Sequence, residues 1–426
     1  MLKIIDFMKD NEFLNNLLDR SQFEYDEVNK VVDKILYDVK NRKDEALREY
    51  TLKFDNVKIQ DFLVSKDEID SAFENIDENL KQDLMKAKEN IEKYHIKQLK
   101  TSYTLNDGED IVLGQIVRPI EKVGIYVPGG SASYPSTVLM NAIPAKIAGV
   151  EELVMITPPN KEGKIKDSIL VAASIAGVDK IYKVGGAQGI GALTYGTESV
   201  PKVYKIVGPG NIYVAMAKKR VSGYVGIDMI AGPSEILIIA DEFANPKFIA
   251  ADLISQAEHD EMAASILVTD CESLAKNVVK ELEIQVEKLE RKEIIRKSLE
   301  NYGAIIITSS LSKSIEIANE IAPEHLELLI QNPFDIYKEI KNAGAIFLGA
   351  YCPEPVGDYF AGPNHTLPTS STSKFSSPLS VDDFQKKTSL LYYSKEALMN
   401  AKDSIVRIAN DEGLTGHANS IKVRFE

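Results

Sequence analysis

The chain has 426 residues, more than one typical domain, so two or more domains are expected. Its 44% hydrophobic and 27% charged content are those of a soluble globular protein with enough apolar residues for a sizeable core. A net charge of −14 argues against nucleic acid as the main partner, because phosphate binding needs a basic surface. Two cysteines, Cys271 and Cys352, make no disulfide framework and suit a reducing cytoplasm. The opening MLKIIDFMKDNEF carries acids inside its apolar stretch and does not read as a signal peptide. No uncharged apolar run approaches the ~20 residues of a membrane span. A cytoplasmic protein without a membrane partner is expected.

Residues 1 to about 100 read as helical. In EYDEVNKVVDKILYDVKNRKDEALREYTLKFD, residues Val28, Val31, Val32, Ile35, Leu36 and Val39 recur at helical spacing, and a second helical run covers 67–98. The charges of this region read as a solvated face without chemistry. The pattern changes near 110, where IVLGQIVRP and EKVGIYVP are short and β-branched, the second closed by Pro-Gly-Gly. Strands and helices then alternate, from STVLMNAIPAKIAGV and ELVMITPP through KIYKV and KIVGPG to YVAMAKKRVSGY. The alternation restarts with SEILIIAD, FIAADLISQAEH and ASILVTD. A charged helical stretch at 272–301 follows, then AIIITSS, LSKSIEIANEIAP and GAIFLGAY. Apolar strands with glycine-rich exits indicate parallel sheets covered on both faces. The fold class is therefore α/β, with two successive Rossmann-like units at about 121–232 and 233–378 whose common rhythm points to an internal duplication. A loop of about 25 residues, Cys352 to Pro378, reads as an active-site loop, because loops this long inside compact domains are functional or disordered. The tail, 379–426, reads as a helical module.

Four of the five histidines fall in short polar stretches of the C-terminal half: His259 in SQAEHD, His325 in APEHLEL, His365 in AGPNHTLP and His417 in GLTGHANS. Imidazole suits proton transfer near neutral pH and zinc binding, so a metal-assisted or acid–base site assembled late in the chain is expected. Gln256 and His259 are three apart on a helix and can share a metal from one face, although Glu258 serves equally on spacing and a plain polar surface fits as well. Glu324–His325 is a carboxylate–imidazole pair suited to acid–base work, or a helix-end cap. Asp358 offers a hard oxygen ligand or makes an Asx turn. His365, after Pro363-Asn364 on the same loop, is a contact candidate or a turn residue, and Glu412 and His417 lie five apart beside Gly413 and Gly416. The turns VPGG (127–130), VGGAQGIG (184–191) and GPGN (208–211) each end a strand and open a helix, where a parallel sheet binds ligands and helix N-termini suit phosphates. None is a G-x-G-x-x-G followed by an acid some 20 residues on, so nucleotide binding there is atypical. The absence of H-E-x-x-H speaks against a thermolysin-like protease, and Cys352 has no adjacent base to make it a nucleophile.

Together these stretches resemble histidinol dehydrogenase. The likeness runs from RKDEALREYTLKFD near residue 42 to TGHANSIKVR at the end. It is carried by VGIYVPGGSASYPSTVLMNAIPAKIAG, VGGAQGIGALTYGTESVPKVYKIVGPGN, IDMIAGPSEILIIAD, DLISQAEHD, APEHLEL and VGDYFAGPNHTLPT, in that order. The resemblance implies one zinc ion per subunit on Gln256, His259, Asp358 and His417, the last supplied by the partner subunit of an intertwined homodimer. It implies Glu324 and His325 as the catalytic pair. Ser234, Gln256, His259, His325, Asp358, His365, Glu412 and His417 would contact the substrate, L-histidinol, and Tyr126, Gln188 and Asn211 would contact NAD. The expected reaction is a four-electron oxidation through L-histidinal to L-histidine with two NAD, closing histidine biosynthesis. The expected organisation is a small module of 1–22 with 103–120, a first Rossmann-like domain of 23–102 with 121–232, a second of 233–378, and a C-terminal module, 379–426, completing the partner's site. The competing readings are a paralogous NAD-dependent dehydrogenase of another small amino or sulfonated alcohol, a zinc hydrolase in which Glu324 activates water, and a non-catalytic zinc scaffold.

Overall fold

The apolar strands of the two α/β units build two parallel sheets. The computed structural model describes residues 3–6, 26–107, 110–129 and 133–426. The first sheet has the order Lys180–Lys183, Glu152–Thr157, Lys122–Tyr126, Lys205–Val207, Gly226–Ile227. The second has the order Lys3–Asp6, Ala304–Ile307, Ala264–Thr269, Glu235–Ala240, His325–Leu329, Ala345–Leu348. With the strands of each unit counted as they occur in the chain, both units read 3-2-1-4-5, and Lys3–Asp6 is added at the edge of the second. A shared order with a shared switch point is the topological trace of a duplication. In EILIIA and ASILVT every residue is buried, as a sheet covered on both faces requires.

Four helices between Asp26 and His95 cover the first sheet. Val32, Ile35, Leu36 and Val39 of the helix Asp26–Arg42 join Tyr50 of the helix Asp44–Asp55 in a core with Val154, Ile156 and Ile190. Ala72, Leu84, Ala87 and Ile91, from Lys66–Asn75 and Glu78–His95, pack on the other side with Val123 and Met155. Ser65 and Asp77 cap these two helices, which splits the run read at 67–98.

Several elements differ from the sequence reading. Lys3–Asp6 is a strand, not a helix, and the rest of the expected 1–22 module lies outside the described residues, as does the tip of the VPGG turn at Gly130. Residues 103–119 form two antiparallel strands, Tyr103–Asp107 and Ile111–Pro119, and a third, Gln385–Tyr393, joins them. The tail is thus not wholly helical; its helices Lys395–Asp411 and Thr415–Lys422 follow that strand. Nearly all of QKKTSLLYY is exposed, so it lacks the alternation that marks a half-buried strand. The stretch at 272–301 is two helices, Glu272–Val286 and Lys292–Tyr302. The loop after Cys352 holds a short helix, Glu354–Tyr359. Its serine-rich part is tied down: Ser371 Oγ donates to Ile321 O at 2.7 Å and Ser373 Oγ to Ala322 O at 2.9 Å. No helix among the described residues is long and apolar enough to cross a membrane.

Candidate active site

The polar cluster forms at the amino ends of the second sheet's central strands, opposite to the edge where open α/β sheets usually bind ligands. Ala322 ends the preceding helix in the left-handed conformation, φ 52°, and Pro323 turns the chain so that Glu324 stands before the strand and His325 is its first residue. Glu324 Oε2 accepts from the Glu235 amide at 2.9 Å and lies 3.7 Å from His325 Nδ1. His325 Nδ1 is 3.0 Å from the Glu235 carbonyl. A carbonyl oxygen only accepts, so Nδ1 carries the proton and Nε2 holds the lone pair. Among the described residues Nε2 has no hydrogen-bond partner, and it lies 3.9 Å from both Glu354 Oε1 and Asp358 Oδ1. Burial holds the His325 ring below its ordinary pKa, so it is neutral near pH 7.

Strand alternation puts Glu327 on the same face as His325, and that face meets the helix Pro246–Ala257. Asp252 and Gln256, one turn apart on the helix, meet Glu327 and His325 respectively. Gln256 is fully buried, and the end of its amide lies 3.2 and 3.3 Å from the two Glu354 carboxyl oxygens and 3.2 Å from His325 Nδ1. Glu354 is itself held by its backbone amide, which donates to Glu327 Oε1 at 2.8 Å. Burial, then the nearby carboxylates of Asp358, Glu324 and Glu327, push the Glu354 carboxyl well above the usual range. His259 follows the helix end, with its amide on the Gln256 carbonyl at 3.2 Å, close enough to disfavour charge on His325 and His365. His365 Nδ1 lies 3.1 Å from the Asp358 carbonyl and 3.9 Å from its carboxylate. Ser234 is half-buried directly before Glu235. His325, Glu354 and Asp358 place possible ligand atoms within 4.8 Å of one another.

A second site lies at the carboxyl ends of the first sheet, where a cavity of about 940 Å³ is lined by Tyr126, Gly186, Gln188 and Asn211 among others. Tyr126 accepts from the Gly186 amide at 3.2 Å, and burial pushes its hydroxyl up to about 12, so it stays protonated. Gln188 is buried with an unpartnered Oε1. Asn211 caps the helix Ile212–Val221 through Oδ1, which accepts from Tyr213 and Val214 amides. The turn before it is fixed by the buried pair Lys218–Asp228 at 2.5 Å: Lys218 donates to the Gly208 carbonyl and Asp228 accepts from the Gly208 amide. Gly208 has φ +111°, and a Cβ there would stand 2.1 Å from the Tyr126 carbonyl, so only glycine fits.

The family model for histidinol dehydrogenase matches residues 18–425. The chain belongs to the histidinol dehydrogenase family. It is 60% identical to histidinol dehydrogenase of Clostridium acetobutylicum over 415 residues, 97% of this chain and 96% of that one. It is 57% identical to the enzyme of that name from Caldanaerobacter subterraneus subsp. tengcongensis over 429 residues, 100% and 99% of the two chains. The crystal structure of histidinol dehydrogenase from Elizabethkingia anophelis is similar throughout, with a TM-score of 0.94 at 40% identity and coverage of 99% and 98%.

Within this histidinol dehydrogenase fold, one group gathers Gln256, His259, Glu324, His325, Asp358 and His365, with Ser234 next to Glu235 in sequence, and another gathers Tyr126, Gln188 and Asn211. Glu412 and His417 are in neither. Both are exposed on the tail, and neither side chain makes a hydrogen bond or ion pair among the described residues. Glu354 escaped the sequence reading. Its spacing from Asp358, four residues on one helical turn, was the available signal.

Proposed function

We propose that this protein oxidises L-histidinol through L-histidinal to L-histidine, with NAD as the electron acceptor and one zinc ion per subunit. The observation that carries the reading is the unpartnered Nε2 of a buried, neutral His325 whose other nitrogen is committed to a carbonyl. Such a nitrogen is a general base held ready in one tautomer. When the substrate's alcohol carbon gives up hydride, the hydroxyl proton passes to Nε2. Glu324 then takes a proton from the water that adds to the aldehyde. His325 returns the first proton to the aldehyde oxygen as the water adds, which frees Nε2, and the resulting gem-diol gives a second proton to Nε2 as the second hydride leaves. NAD, when bound in the cavity at Tyr126, Gln188 and Asn211, accepts each hydride.

The residues suit zinc. A buried amide, a carboxylate and an imidazole from Gln256, Asp358 and His259 are hard or borderline donors of the kind zinc takes. Glu354 belongs outside that set: burial favours its protonated form, and its carboxyl contacts the Gln256 amide. Zinc, when bound, would position the substrate's imidazole and amine. The fourth ligand, His417, and the substrate contact Glu412 would come from the partner subunit of a homodimer. Supporting this, both stand exposed on a tail where Leu391 is 68% and Ile408 62% exposed, an apolar surface of the kind that pairs.

The test is His325→Asn. Turnover should fall by at least about a hundredfold while zinc content stays at the wild-type level. Loss of zinc with unchanged turnover per bound metal would make His325 a ligand and not the base.

A further inference from the structure

The cavity at the first sheet contains one acidic side chain that folding does not explain. Asp55 is the last residue of the helix Asp44–Asp55 and lines the cavity with Tyr126, Gln188 and Asn211. A carboxylate at a helix C-terminus faces the negative end of the helix dipole, which is unfavourable. Its Oδ2 is buried and accepts no hydrogen bond among the described residues, and its side chain makes no ion pair there. Burial pushes the carboxyl up to about 6, so it remains ionised at neutral pH but at a cost. No hydrogen bond or ion pair among the described residues offsets that cost; a ligand with hydroxyl donors would.

The location identifies the donors. Rossmann units hold the ribose of a dinucleotide with an acid near the end of the second strand, about 20 residues after the glycine turn. Here that strand, Glu152–Thr157, runs out into Thr157-Pro158-Pro159-Asn160, with no acid. Asp55 reaches the same region from outside the sheet. Val57 and Ile59, which follow it, lie against the turn at Gly163, and Pro158, Pro159 and Asn160 line the cavity with it. Asp55 is also close enough to Tyr126 to disfavour that phenol's ionisation.

We propose that Asp55 accepts the 2′- and 3′-hydroxyls of the adenosine ribose and thereby selects NAD over its 2′-phosphorylated form. This rests on the reading of the cavity as the NAD site. A carboxylate with two acceptor oxygens matches a vicinal diol, and it repels a phosphate placed where the 2′-hydroxyl sits. Lys161 and Lys164 also line the cavity and would attract phosphate, so a negative group is needed for discrimination.

The experiment is equilibrium binding of NAD and of NADP to full-length wild-type protein and to Asp55→Asn, by calorimetry, with thermal midpoints measured alongside. The variant should bind NAD about tenfold more weakly or worse, as loss of a charged hydrogen-bond acceptor implies, and should bind NADP more tightly than wild type. Its thermal midpoint should not fall, since a helix-end carboxylate is removed. A gain in NADP affinity is a change that a purely structural role would not produce. Unchanged NAD affinity and unchanged preference in the variant overturn the proposal and leave the choice to the lysines. Wild-type protein that binds neither dinucleotide overturns the cavity reading and the proposal with it.

Discussion

Replacing Glu327 by Gln should stabilise this protein, and the gain should depend on pH. Glu327 is fully buried on the strand that carries His325. Burial first, and the charge of Asp252 second, push its carboxyl up to about 9. In the unfolded chain the same group titrates near 4.5. The raised value means that the folded state holds a proton that the unfolded state releases. This contribution to stability is therefore complete below about pH 4.5 and is lost as pH rises through the window up to about 9. At pH 7 the loss is on the order of 3 kcal/mol, at about 1.4 kcal/mol per pH unit. Gln is an isostere that does not titrate. Its carbonyl can still accept from the Glu354 amide, which now donates to Oε1 at 2.8 Å, and its amide can donate to Asp252. Urea unfolding of wild type and Glu327→Gln, followed by circular dichroism, should show the variant more stable by about 3 kcal/mol at pH 7, with most of the difference gone at pH 5. An equal difference at the two pH values would refute the reasoning, because it would mean that the carboxyl is not held protonated by the fold.

Gly208→Ala should lower stability by about 3 kcal/mol or more and weaken NAD binding, since the new Cβ meets the Tyr126 carbonyl at a positive φ. An unchanged thermal midpoint would contradict the geometry of that turn. Mixing inactive His325→Ala subunits with inactive His417→Ala subunits should restore about a quarter of wild-type activity, because half of the dimers are mixed and each of these has one intact site. Activity in either variant alone, or none after subunit exchange has been verified, would mean that the tail does not complete the partner's site.

The sheets were legible because fully buried parallel strands such as EILIIA read as short apolar runs between glycine and proline, whatever their neighbours. The histidines were legible as scarce imidazoles in polar company, and three of the four late ones lie in or beside one cluster. Gln385–Tyr393 was not legible, because a strand exposed on both faces carries no period of two. Glu354 was hidden because its significance comes from burial between Gln256, His325 and Glu327, residues brought together only by the crossing of helix Pro246–Ala257 over the sheet. Asp55 was hidden differently. Helical spacing predicts which side chains are apolar and inward, so one acid among many on helix Asp44–Asp55 reads as solvated until the cavity beside it is seen.

The double oxidation at His325 can be measured by counting NADH per L-histidinol consumed by the zinc-loaded protein. Two NADH should form for each histidinol, with histidine as the product. One NADH with accumulating aldehyde would remove the hydration step assigned to Glu324. No NADH from protein shown to hold zinc and bind NAD would contradict the reading of the site as a histidinol-oxidising centre.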